Sequence, residues 1–181
     1  MSLNNRVWLD QLDDYPEVAD CIRQSGNPHD ALPSYEYLYK FKGKIPKELY
    51  AYYLRRLLQF NTANVSVEMR LKMLEDVDRN DIMFQEELEA IQGFGESITV
   101  FRGTSKDEEL PGLSWSLKRH IAESSDFYRG RLFKATIPTS KILLYLSQEE
   151  DEEEIIAHIT SNYEIEGKRS MIAHLFVRLR M

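Results

Sequence analysis

The chain holds one cysteine, Cys21, among 181 residues, so no disulfide can form within it. That scarcity fits a reducing compartment and removes any mononuclear zinc site built on several cysteines. Histidine is sparse too: His29, His120, His158 and His174 are scattered without metal-ligand spacing, and no metal is expected. No run approaches the roughly 20 apolar residues that a membrane helix needs. The N-terminus lacks a basic segment followed by an apolar core. These absences lead to the expectation of a cytoplasmic protein with no membrane partner. Basic charge is also short, with 23 Lys and Arg against 30 Asp and Glu and a net charge of −7. Phosphate contacts supply most of the affinity for nucleic acid and call for a basic surface, so neither DNA nor RNA is the expected partner.

What the chain does have is a globular composition. Hydrophobic residues make up 43% of it, well above the disordered range. The length suits one compact domain or a small domain with a helical extension. The pattern changes character near Gly93 and Gly95. Before that point apolar residues recur at helical spacing. Leu49, Tyr53 and Leu57, with Leu54 and Leu58 beside them, form one stripe, and Pro46 stands where that helix can begin. Val67, Leu71 and Leu74 mark a second helix, with Asn64 or Ser66 as its N-cap. Phe84, Leu88 and Ile91 mark a third, which Gly93 is expected to end. Shorter helices are expected at 7–12 and 17–24, and a loop at 25–33.

After Gly95 the period becomes two. Residues 97–102 alternate, with Ile98, Val100 and Arg102 on one face. Residues 112–117 set Leu113, Trp115 and Leu117 against Ser114 and Ser116. A helix is expected at 118–127, and strands at 131–137, 141–146, 152–158 and 171–178. The fold class that follows is α+β, with residues 1–95 a helical region packed on a core of residues 96–181 whose sheet is mixed or antiparallel.

Three short pieces carry the chemistry: Val100-Phe101-Arg102-Gly103, Leu113-Ser114-Trp115-Ser116-Leu117, and Glu152-Glu153-Glu154-Ile155-Ile156. In this order, at strand ends, they resemble the motifs of a mono-ADP-ribosyltransferase domain of the arginine–serine–glutamate type, as found in phages and bacteria. The first is similar to the family's aromatic-Arg-Gly strand end, the second to its Ser-x-Ser/Thr strand, the third to its Glu-x-Glu motif. A helix carrying Ala122 and Phe127 is expected after the second piece. The resemblance runs from Ser97 to about Ala157 and implies the family's split β-sheet.

It also implies that NAD is the substrate and that nicotinamide is displaced from it. Cleaving that bond builds oxocarbenium-like charge on the ribose, which a fixed carboxylate stabilises. By resemblance Glu154 is that carboxylate, and Glu152 positions or deprotonates the acceptor, a hint of an arginine acceptor. Arg102 offers a planar fork of donors to the pyrophosphate or ribose, and Ser114 braces the pocket. Gly103, Trp115, Ser116 and Phe127 complete the implied cofactor-binding set, with the backbone at Gly103 open to close approach, Ser116 also a helix cap and Phe127 a stacking ring. Trp115 and Phe127 are equally core candidates by residue type.

Alone, each feature has a plainer reading: Arg102 as a surface residue, the acids from Glu149 to Glu154 as a solvated turn, and the serines as a polar strand face. The unbroken acids also leave Glu150/Glu152 or Asp151/Glu153 open as the motif, with Glu152/Glu154 preferred because Ile155 and Ile156 follow directly. A protein acceptor and water are both open as the second substrate. The alternative from another class is a non-catalytic interaction module on the same fold, to which the polar segment at 122–128 would belong.

Overall fold

The computed structural model describes residues 15, 16, 18, 31–60, 64–104, 112–124, 131–149 and 152–166, with backbone alone for Phe60, Gln148, Glu149, Glu152 and Glu166. Helix α1, Leu32–Tyr39, carries Pro33 in its first turn. A missing N–H costs nothing there, because the first helical donors have no intrahelical partner. Pro33 therefore starts a helix where the composition suggested a loop. Helix α2, Lys47–Phe60, follows Pro46, and its apolar stripe is interior: Leu49, Tyr53, Leu54, Leu57 and Leu58 are all buried.

Helix α3, Val67–Leu74, begins where the Ser66 hydroxyl accepts from the Met69 backbone N–H at 3.1 Å. Asn64, the other expected cap, instead takes the left-handed backbone with φ 58. The residue this helix buries is Met73, while Val67, Leu71 and Leu74 are half-buried. Helix α4, Arg79–Ile82, is one turn capped by Asp78, whose carboxylate accepts from Asn80 N at 2.8 Å. Helix α5, Gln85–Gly93, ends in a reversal at Gly95, with φ 77, a conformation that favours glycine.

Glu87, in the first turn of α5, accepts from the Phe84 backbone N–H at 2.9 Å, one half of a capping box. The same carboxylate takes a two-pronged hydrogen bond from Arg55 of α2, each arm 2.8 Å. Arg55 also donates to the Ile82 carbonyl at 3.2 Å and lies 4.3 Å over the Phe84 ring. Exposure of 2% for Arg55 and 0% for Glu87 makes this an interior ion pair. Its desolvation is offset only because these partners meet both charges.

Six strands follow, β1 Ser97–Thr104, β2 Ser114–Ser116, β3 Arg131–Pro138, β4 Ile142–Glu149, β5 Glu152–Ala157 and β6 Tyr163–Glu166. They form one sheet in the order β4-β5-β2-β1-β3-β6. The pairings β1–β2, β1–β3, β2–β5 and β3–β6 are antiparallel. A 3₁₀ turn, Thr139–Lys141, joins β3 to β4. Helix α6, Arg119–Ala122, follows β2 and is far shorter than the helix expected at 118–127. The fold is α+β.

The chain divides into two compact units, Met1–Phe94 with Leu143–Leu146, and Gly95–Ile142 with Ser147–Met181. In the first, the Tyr145 backbone N–H reaches the Met83 sulfur at 3.3 Å, and its ring meets that of Phe94 edge-on. In the second, Ile98, Val100, Trp115, Leu132, Phe133, Ala135, Ile137, Ile155 and Ile156 are buried. The helix expected at 7–12 and the strand at 171–178 lie outside the described residues, as does most of the helix at 17–24. Among the described residues no helix is long and apolar enough to cross a membrane.

Candidate functional site

Strand β2 is only three residues long, yet it lies between β5 and β1 and so brings the second and third sequence pieces into register. Ser116 stands opposite Glu154, Trp115 opposite Ile155, and Ser114 opposite Ile156. On the other side Ser116 faces Phe101. In-register residues share a face of the sheet. One face therefore presents Phe101, Ser114, Ser116 and Glu154, each half-buried. Trp115 projects from the opposite face with Ile155, at 1% and 0% exposure. Trp115 is thus a core residue that anchors β2, and the serines beside it are held in place by that burial.

Ser114 donates its hydroxyl hydrogen to a carboxylate oxygen of Glu154. The contact is diagonal, since the direct neighbour of Glu154 across the ladder is Ser116. The Ser116 oxygen accepts from the Lys118 backbone N–H at 2.9 Å. That bond closes a turn ahead of α6, whose N-cap position belongs to Lys118. Ser116 stands two residues too early to cap the helix as expected.

Arg102, opposite Phe133 in β1, alternates onto the face that carries Ile98 and Val100. Its guanidinium nonetheless reaches β2, where Nη1 donates to the Ser114 main-chain carbonyl at 2.8 Å. It also lies against Gly112: a Cβ built there would come 2.9 Å from Nη2 and 3.1 Å from Cζ. Ser114 therefore links the other two members of the set, the carboxylate through its side chain and the guanidinium through its backbone. Gly103 follows Arg102 on β1, opposite Leu132.

Of the acidic run, Glu154 is the described side chain that Ser114 meets. Glu153 lies on the alternate face, its carbonyl accepting from the Leu117 N–H at 2.9 Å. Glu152 is the first residue of β5, and its side chain lies outside what the structure describes. Glu150, Asp151 and Phe127 also lie outside the described residues. Among those described, no group of three or more His, Cys, Asp or Glu is placed to hold a metal ion.

Three neighbours of the site were given no role of their own from sequence, Phe101 entering only as the aromatic of the first piece. Phe101 shares the face of Glu154, and the Arg119 guanidinium of α6 lies 6.0 Å from its ring centroid while bonding Glu123 at 2.9 Å. An aromatic on the otherwise polar side of an alternating strand is the signal that marks Phe101. Gly112 is the third, two residues ahead of Ser114, where period two sets it in line with that residue.

The result is a part-buried carboxylate fixed by the hydroxyl of Ser114 and a guanidinium fixed by the carbonyl of the same residue. The first can stabilise developing positive charge, and the second can grip a phosphate or carboxylate. No family model, no curated protein and no solved structure matches the chain.

Proposed function

We propose that this chain is an NAD-dependent mono-ADP-ribosyltransferase acting in the cytoplasm. It releases nicotinamide and transfers ADP-ribose to an acceptor, an arginine side chain or another protein group, or to water. The observation that carries this reading is the double role of Ser114, whose hydroxyl holds Glu154 while its carbonyl holds Arg102. Three residues selected by resemblance from separate strands are joined by hydrogen bonds through one of them.

The chemistry fits this donor set. The glycosidic C–N bond breaks with its electron pair leaving on nicotinamide, and C1 of the ribose bonds to an acceptor nitrogen or oxygen that sheds its proton. Glu154, kept in one orientation by Ser114, places negative charge where positive charge develops in the transition state. Arg102 remains charged throughout, and its planar guanidinium is the group proposed to meet the pyrophosphate or ribose. Gly103 allows close backbone approach beside it. Glu152 is the group proposed to orient or deprotonate the acceptor.

The test is nicotinamide release from NAD by the purified protein, followed with and without added arginine analogues. Release that Glu154→Gln abolishes supports the reading. Absence of both release and NAD binding contradicts it and leaves the interaction module as the function of this fold.

A further inference from the structure

Gly112 does not take the left-handed backbone that favours glycine, unlike Gly43 and Gly95, with φ 75 and 77. What distinguishes it is its neighbour. A Cβ at Gly112 would fall 2.9 Å from Nη2 and 3.1 Å from Cζ of Arg102, closer than packed carbon and nitrogen atoms settle. By contrast, nothing lies within 4 Å of a Cβ placed at Gly93.

We infer that Gly112 is a positioning residue for Arg102, its missing side chain being the space in which the guanidinium lies. The obstructed atoms are the far end of a long side chain and not backbone, so adding a methyl group displaces the guanidinium and leaves the fold intact. Displacement breaks the bond from Nη1 to the Ser114 carbonyl, at 2.8 Å, and turns the fork away from its present direction. Two-pronged recognition of phosphate depends on that direction, since both N–H groups must point at their acceptors together. The ligand class assumed for the fork, a pyrophosphate, rests on the NAD reading above; the placement of the guanidinium does not.

The measurement pairs a side-chain nitrogen NMR signal with NAD affinity. The Arg102 Nε–H resonance of the labelled full chain is assigned by its loss in Arg102→Lys. In Gly112→Ala, and in Gly112→Ser as a second variant, that resonance is expected to move or broaden while the unfolding midpoint stays within error. NAD affinity is expected to fall about tenfold, the size of one lost charge-assisted hydrogen bond. Gly93→Ala, the control glycine, leaves both readings unchanged. If the unsubstituted protein binds no NAD, the NAD reading falls, and the Arg102 resonance alone decides the positioning role. An unmoved resonance in the folded Gly112 variants overturns the inference, whatever happens to NAD affinity.

Discussion

Ser114 and Glu154 meet diagonally across the β2–β5 pair, the serine standing opposite Ile156 and the glutamate opposite Ser116. Diagonal neighbours on one face of an antiparallel pair lie farther apart than direct ones, so only a side chain as long as glutamate's can span the gap to a serine. The carboxylate is thereby drawn along the strand towards Ser114. The serine directly opposite it has its oxygen engaged by the Lys118 backbone.

Removing the Ser114 hydroxyl takes away one hydrogen bond that orients the Glu154 carboxylate. On the proposed chemistry, Ser114→Ala lowers the kcat of nicotinamide release by about 10- to 100-fold, that is about 1.4 to 2.8 kcal/mol of transition-state stabilisation. KM for NAD is expected to change little, because the Ser114 carbonyl that holds Arg102 is retained. Steady-state kinetics with a parallel thermal melt check both parts.

How much of this was legible in the chain depends on whether local or distant contacts decide each feature. The helix beginning after Pro46 and the Ser66 cap follow from residues within one turn of each other, and both were readable. Pro33 was misread because proline marks a break or a beginning according to where the flanking residues turn. In α3 the periodic leucines proved half-buried and Met73 was the interior residue, since the phase of so short a helix is set by what packs on it. Arg102, Ser114 and Glu154 could be named from sequence, but their linkage could not. It depends on the register of β2 against β5 and on a guanidinium that crosses from β1 to the backbone of its neighbour. Gly112 escaped notice for the same reason, its function being to leave room for a residue ten positions earlier.

The Arg55–Glu87 pair gives a stability prediction independent of catalysis. Glu87→Gln keeps the shape but leaves the Arg55 charge buried without its counter-ion. A loss of about 3–5 kcal/mol in urea unfolding is expected. Replacing both residues together by Met and Leu recovers part of that loss, because no uncompensated charge then remains. Equal destabilisation in the single and double variants would show that the pair's charges do not interact in this way.

Asp78 gives a prediction about pH. Hydrogen bonds from the Asn80 backbone and side chain hold its carboxyl below the usual aspartate range, and Lys47 adds to the effect. A depressed folded-state value means that the unfolded chain takes up this proton first as the pH falls. The stabilisation is complete above the ordinary aspartate value, about 3.9, and disappears as pH drops through the lower folded value. Asp78→Asn keeps a capping oxygen without the charge. It should therefore lower stability modestly above about pH 4, where the charge of the parent is stabilising, converge with the parent at lower pH, and so flatten the acid limb of the stability curve. An unchanged acid limb would remove Asp78 from the set of groups that govern acid unfolding.

The proposed mechanism stands most directly on Ser114 acting through Glu154. The decisive measurement is the rate of nicotinamide release from NAD for Ser114→Ala, Glu154→Gln and the two combined. Glu154→Gln is expected to remove activity to background, and adding Ser114→Ala to it should cost nothing more, since the hydroxyl has no further carboxylate to orient. Release that persists in Glu154→Gln, or that falls further when the two substitutions are combined, would contradict the assignment of Glu154 as the carboxylate that Ser114 serves.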